Sequence, residues 1–406
     1  MKRNSLITSY LVLTLMLAIS LSASAEIITI QHLCHGGITE QELYAQLADG
    51  PFKSTHPNIK VEILEPGSRG WVEKLITMVA GGISPDTVFC ANWWIPEMVE
   101  KGLFLDIQGY VSRDKTWNDD DYFPVTIAQT FYKGGRYGIP RHFSPMLMFI
   151  NQDLFRKSGL ADPPADWTWD KFVEIARRLT QSTGNVRTQW GFDLIGPGDL
   201  AGDALTIPIV RSLGGDLFSD DGMRLALAEP KSVEAMQWLI DLSNVHHIAP
   251  IISESSGGFA GGRVAMNLFA FYRIMQLRSA NVPFEWDVAQ IPQGPAGRVN
   301  RGASGTHAVV STSKHPEEAW QWIKFLAGRE AQLAFASSGL VMGARRDSAI
   351  VKTLTRDDTP PKNISLFLDA AMDAWPYPAT PYFNQAVAAI RPAMNVAWRG
   401  EKVLSG

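Results

Sequence analysis

The sequence predicts an α/β protein built on a mainly parallel sheet with helices on both faces. Two observations carry this. From residue 27 short β-rich runs alternate with amphipathic stretches: "IITIQHL", a helical stretch from about Thr39, "VEIL" at 61 to 64, a second helix, then "DTVFC". A βαβαβ order of this kind fits parallel strands joined by crossover helices. The 406 residues, 46% hydrophobic and 19% charged, are also enough to bury a full core and to form two lobes.

The elements follow in order. Val72, Leu75, Ile76 and Val79 fall at i, i+3, i+4 and i+7, and Gly81 with Gly82 closes that helix. The strand "DTVFC" runs into "ANWW", and Pro96 then suits the first turn of a helix that Gly102 ends. Asn92, Trp93 and Trp94 therefore sit at the carboxyl end of a strand, the edge where open α/β sheets hold ligands. Downstream, turn residues precede the strand-like "MLMFI", and "WDKFVEIARRL" puts Phe172, Ile175, Ala176 and Leu179 on one face. A Gly/Asp/Pro-rich loop at 196 to 203, a helix near 233 to 243, and strand-like "RVAMNLFAF" and "WDVAQIP" come next. "GPAGRVNRGASG" precedes the strand "THAVVS", and a helix over 316 to 327 opens on Pro316, Glu317 and Glu318, with Ala319, Trp322, Ile323 and Leu326 on its buried face.

The first 25 residues read as an export signal. Lys2 and Arg3 precede an apolar run from Leu6 to Leu21, and "ASA" at 23 to 25 offers small residues for cleavage, so the mature chain is expected to begin at Glu26. The stretch is short for a bilayer span, and no cysteine follows it to take a lipid, so a periplasmic protein without a membrane anchor is expected. Cys34 and Cys90 each end a strand. In an oxidising compartment they are a candidate disulfide, with two buried thiols as the alternative.

Catalytic motifs are missing. There is no His-Glu-x-x-His, no phosphate loop and no Gly-x-Ser-x-Gly elbow, and neither a metal nor a cofactor is called for. Cys34 and His35 are adjacent on a strand and so face opposite sides, and His246 with His247 suits a helix end. The acidic groups Asp119 to Asp121, Asp220 with Asp221, and Asp357 with Asp358 lie in turn-like segments that read as solvated. A net charge of -4 without a basic patch argues against nucleic acid. Of the thirteen tryptophans, Trp71, Trp167, Trp169 and Trp322 fit core packing. Trp93, Trp94 and Tyr272 stand at strand tips, where flat rings can meet the C–H face of a sugar.

These stretches together resemble a known family. "SPDTVFCANWWIPEMVEKGLFLDI", "GGRYGIPRHFSPMLMFINQDLFRKSGL", "PPADWTWDKFVEIARRLT", "FAGGRVAMNLFAFYR", "HPEEAWQWIKFLAGREAQLAFASSG" and "LVMGARRDS", in this order and spacing, are similar to the extracellular solute-binding proteins of sugar ABC importers, the group that includes maltodextrin- and glycerol-3-phosphate-binding proteins. The resemblance implies the two-lobed type 2 periplasmic-binding fold, each lobe a sheet flanked by helices, with a ligand cleft between them. Residues 26–139 and 302–345 would form one lobe and 140–301 and 346–406 the other, with crossings near 137 to 142, 300 to 304 and 345. The implied ligand set is His35, Ser68, Asn92, Trp93, Trp94, Arg141, His142, Ser144, Tyr272, Ser304, Thr306, Arg345 and Trp375. Where maltodextrin binders carry charged residues after the strand, this chain has Trp93 and Trp94, so the ligand itself does not carry over. Arg345 and Arg346 either brace the hinge or meet an acidic group.

The expected function is capture of a mono- or oligosaccharide, without catalysis, by a monomer that delivers it to ABC permease subunits. The alternatives are a receptor for a polyol phosphate such as a glycerol phosphodiester, with Arg141 or Arg345 on the phosphate, and, further off, an exported glycoside hydrolase.

Overall fold

The computed structural model describes residues 26–34, 37–65, 70–193, 206–219, 221–251, 257–339, 341–347, 350, 352–353 and 359–399. His35, Ser68, Asp220, Asp357, Asp358 and the signal segment lie outside them. The strands are β1 (Ile28–Leu33), β2 (Ile59–Leu64), β3 (Thr87–Ala91), β4 (Phe131–Tyr132), β5 (Gly135–Arg136), β6 (Ile139–Phe143), β7 (Met146–Asn151), β8 (Gln181–Thr183), β9 (Val186–Asp193), β10 (Val264–Ala270), β11 (Trp286–Ala289), β12 (Asn300–Arg301), β13 (Ser304–Val309), β14 (Met342–Gly343) and β15 (Ala374–Trp375). One sheet has the order β14-β6-β13-β3-β1-β2 and a second the order β11-β7-β10-β9-β8. Each sheet, with its helices, is the centre of one lobe.

The βαβαβ reading describes β1, β2 and β3, which are parallel, β1 matching β2 from Ile28↔Ile59 to Leu33↔Leu64. The sheets as wholes are mixed rather than mainly parallel. β13 is antiparallel to β3 and β6, and β14 to β6; in the second sheet only β9 and β10 run together. The cause is the traffic between lobes. A strand leaving a lobe must end at the facing edge and a returning strand must start there, so the two run in opposite senses when they pair.

This traffic fixes where the facing edge is. β6 ends at Phe143 in the first sheet and β7 begins at Met146 in the second, so the first passage is Ser144–Pro145, a few residues beyond the expected 137 to 142. The return runs through β12 into β13 at Ser304. Gly305 is opposite Ala91, so the carboxyl end of β3 points at the passage. Ala270 is opposite Met146, so the carboxyl end of β10 points there from the other side. The two sets of strand tips look at each other across the same gap.

Packing follows the helical periodicity. Phe172, Ile175, Ala176 and Leu179 are all buried on the helix Trp169–Leu179, whose Thr168 side chain accepts a hydrogen bond from the Lys171 N–H. On Pro316–Ala327 the predicted face Ala319, Trp322, Ile323 and Leu326 is buried too. In the helix Trp71–Ala80, Trp71, Val72 and Leu75 go inside while Ile76 is exposed. Under the passages Phe123, Phe143 and Met342 share one apolar cluster with Phe149 and Phe367 of the second lobe.

The first lobe also buries polar groups. His32 Nδ1 lies 2.8 Å from Thr87 Oγ1, and Tyr44 O–H lies 2.9 Å from His307 Nε2, with the two imidazoles 5.5 Å apart and both fully buried. Burial, and then the nearby Arg141 cation, holds His32 down to about 3; burial, His32 and Arg141 hold His307 well below its ordinary value. Both are therefore neutral in the fold at pH 6, while an unfolded chain would begin to protonate them near 6.5. The unfolded state binds more protons between about 6.5 and 3, so stability falls as pH falls through that window. Each histidine contributes up to about 1.4 kcal/mol per pH unit. Urea unfolding at pH 7, 6, 5 and 4 should show this decline, with a shallower slope in His32→Gln.

Candidate functional site

β3 ends at Ala91, and the next three residues, Asn92–Trp94, form a 3₁₀ turn leading into the helix Ile95–Glu100 with Pro96 in its first turn. Three residues per turn set neighbouring side chains about 120° apart. The two indoles consequently diverge. Trp94 packs edge-on against Trp71, 5.4 Å between centroids, within the apolar cluster of the first lobe. Trp93, half-buried, packs against the core of the second lobe, 5.2 Å from the Tyr377 ring and 6.4 Å from Phe383. Beside it Asn384 Nδ2 donates to Glu97 Oε2 at 3.0 Å. Trp93 thus bridges the lobes, and Trp94 supports it from within one.

Asn92 is buried and its amide is engaged on both sides. Oδ1 accepts from the Ser304 N–H at 2.9 Å, and Nδ2 donates to Gln129 Oε1. Ser304 and Thr306 are buried in β13, their hydroxyls turned into the protein. Ser144, in the first passage, is held by its own N–H on Ala303 O at 2.9 Å. His142 is partly exposed, and its ring occupies the space beside Gly305: a Cβ there would lie 2.2 Å from the imidazole, so only glycine admits the ring.

The arginines are tied inward. β6 carries a bulge where Gly305 faces His142 and Thr306 faces Pro140, leaving Arg141 as the extra residue. The bulge turns Arg141 into the first lobe, where it meets Glu40 at 2.6 Å and lies over Phe89 and Phe335 at 4.4 and 4.5 Å. Arg345 pairs with Asp121 at 2.7 Å and donates to Tyr122 Oη at 3.2 Å, which is the bracing role of the two open for it. Arg346 donates to Asp120 O.

The second lobe contributes further rings. Tyr272 lies two residues past the end of β10, is 44% exposed and packs T-shaped with Phe269 at 5.2 Å. Trp375, partly exposed in β15, is covered on one face by the Arg211 guanidinium at 3.8 Å, and Arg211 in turn pairs with Asp216. β15 lies parallel to β12, and Gly302 beside it is required: a Cβ would sit 2.4 Å from Trp375 O. Tyr377, Phe383 and Gln129 were not singled out from sequence. The aromatic spacing in "PYPATPYF" was the available signal for the first two, while nothing local marks a lone glutamine.

Cys34 and Cys90 are free and buried, so the candidate disulfide is not formed. Leu33 is in register with Val88, which puts Cys34 level with Phe89 and Cys90 on the opposite face of the sheet. The two thiols belong to different apolar clusters. Burial pushes Cys34 up to about 12 and Cys90 higher. Among the described residues no group of three or more His, Cys, Asp or Glu is placed to hold a metal ion, and no helix is long and apolar enough to cross a membrane.

Two facing lobes, a gap at the strand tips and ring faces from both sides define a ligand-capture protein. The chain belongs to the bacterial extracellular solute-binding proteins, whose family model matches residues 36–333. A putative binding protein of Brucella abortus is 25% identical over 289 residues, covering 68% of this chain and 67% of the relative. An arabinooligosaccharide-binding protein of Halalkalibacterium halodurans is 31% identical over 132 residues, 32% of this chain and 27% of that protein. Among solved structures, an ABC substrate-binding protein of Listeria monocytogenes in complex with cycloalternan superposes with a TM-score of 0.81 at 22% identity, covering 93% of this chain and 95% of its own. The sugar-binding protein MalE of Xanthomonas citri gives 0.78 at 20% identity, covering 92% and 93%. The two-lobed fold is shared with both.

Arg141 and Glu40 make a buried pair, so removing the cation leaves a carboxylate without its partner. Arg141→Met should lower stability by about 3 kcal/mol, and Arg345→Met, at a more exposed pair, by about 1 kcal/mol or less, both read from urea unfolding at pH 7.

Proposed function

We propose that this protein is the receptor of a sugar ABC importer: it binds a mono- or oligosaccharide between its lobes and presents the closed complex to permease subunits in the inner membrane. The observation that carries the reading is the pairing of Trp93 with Tyr377 across the lobes, at the edge where Tyr272 and Trp375 also stand. Rings from both sides suit a ligand with two apolar C–H faces and hydroxyls around its rim. Trp93, His142, Tyr272, Trp375 and Tyr377 would contact the ligand. Asn92, Trp94, Ser144, Ser304, Thr306, Arg141 and Arg345 would frame them. Ligand contacts that exist only when both lobes engage would stabilise the closed form.

A neutral sugar is preferred to a phosphorylated polyol on electrostatic grounds. Arg141, Arg211 and Arg345 are each paired with a carboxylate, on Glu40, Asp216 and Asp121. A phosphate on any of these three would have to displace its carboxylate. Two of the acidic residues that a hydrolase could draw on are already engaged, Asp119 with Arg136 and Asp121 with Arg345. The receptor works without a cofactor, as a monomer, in the periplasm after removal of the signal near Ala25.

Isothermal titration against mono-, di- and oligosaccharides and polyols tests this. At least one sugar should bind, with affinity little changed between 50 and 500 mM salt, as a neutral ligand requires. Trp93→Ala should weaken that binding about tenfold or more, about 1.4 kcal/mol per tenfold. Binding of an amino acid or metal and of no sugar would overturn the ligand class; steep loss with salt would favour the phosphorylated ligand.

A further inference from the structure

We propose that Gln129 is a positioning residue for the ligand platform, holding Trp93 and Tyr377 at their mutual distance although it stands behind them. Gln129 is buried and uses every donor and acceptor of its amide. Oε1 accepts from the Tyr377 N–H at 3.1 Å and from Asn92 Nδ2; Nε2 donates to Val125 O at 2.9 Å and to Gly302 O.

These bonds close a circuit. The peptide bond joins Asn92 to Trp93, the indole meets the Tyr377 ring at 5.2 Å, the Tyr377 N–H reaches Gln129 Oε1, and the same oxygen takes the Asn92 amide. The remaining two donors fasten the circuit to the helix Pro124–Ala128 and to the returning passage at Gly302. Asn92 Oδ1 adds a second fastening, on the Ser304 N–H. Three chain segments far apart in sequence, near 92, 302 and 377, are joined through one side chain. Their separation in this structure follows from hydrogen-bond lengths.

Few side chains can replace it. The site needs two N–H donors and an oxygen that accepts twice, on a reach of three carbons, which only a primary amide of this length supplies. Methionine fills the volume and leaves the Tyr377 N–H and Gly302 O without partners. An ionised glutamate keeps the acceptor but sets a negative charge against two carbonyls; once protonated it regains one donor.

The inference rests on the sugar-receptor reading of the same gap, so the test has one arm without ligand. Protein containing 5-fluorotryptophan gives a ¹⁹F resonance for Trp93, assigned by its loss in Trp93→Phe. In ligand-free Gln129→Met that resonance should move or broaden while those of the core tryptophans, Trp167 and Trp322 among them, stay in place. With maltotriose, mannobiose and arabinotriose as probes, whichever binds the parent protein should bind Gln129→Met about tenfold more weakly. Gln129→Glu should be weakened at pH 8 and recover toward the parent's affinity, compared at the same pH, as pH is lowered to 5. An unmoved Trp93 resonance in both variants overturns the proposal, as does weakened binding with that resonance unchanged. Should none of the three sugars bind, the ¹⁹F arm still decides whether Gln129 positions the ring.

Discussion

The constraint on which this molecule depends is that its backbone passes repeatedly between two sheets and must satisfy its polar groups where neither sheet can reach. Side-chain amides perform that task. Asn300 takes the Met146 N–H at 2.8 Å and returns a donor to Met146 O at 2.7 Å, acting as one residue of a missing strand. Asn92 and Gln129 do the same for Ser304, Gly302 and Tyr377. Buried N–H and C=O groups left unpaired here would cost about 1–3 kcal/mol each, so three carboxamides keep the passages ordered. The direction of every strand beside the gap, and so the placement of the rings on it, follows from the passages these amides hold.

Much of the fold was legible because it rests on periodicity. The helices Trp169–Leu179 and Pro316–Ala327 bury the faces their spacing predicts, and the parallel trio β1, β2 and β3 follows from the alternation of short β runs with helices. Strand direction elsewhere was not legible. It depends on which end of a strand meets the passage, and β13 joins β3 across more than two hundred residues.

The site divides in the same way. Trp93 could be read from its position at a strand tip, whereas the divergence of Trp94 is a property of the 3₁₀ turn between them, which residue type does not reveal. Arg141 belongs to the ligand set that the resemblance implies; a single extra residue in β6 turns it inward onto Glu40. Cys34 and Cys90 illustrate the limit most simply. The strands are neighbours, but a shift of one residue in register decides the face, and no composition argument carries that information.

The order β6-β13-β3 has a bearing on biogenesis. β13 lies between two strands that precede it by more than 160 residues, so the first lobe has an open slot until Val309 has been synthesised. Contacts this distant in sequence form late. For much of its synthesis, then, the growing chain has the parallel trio β1, β2 and β3 in place but no partner across its inner edge, so the first lobe closes only after most of the second has been made.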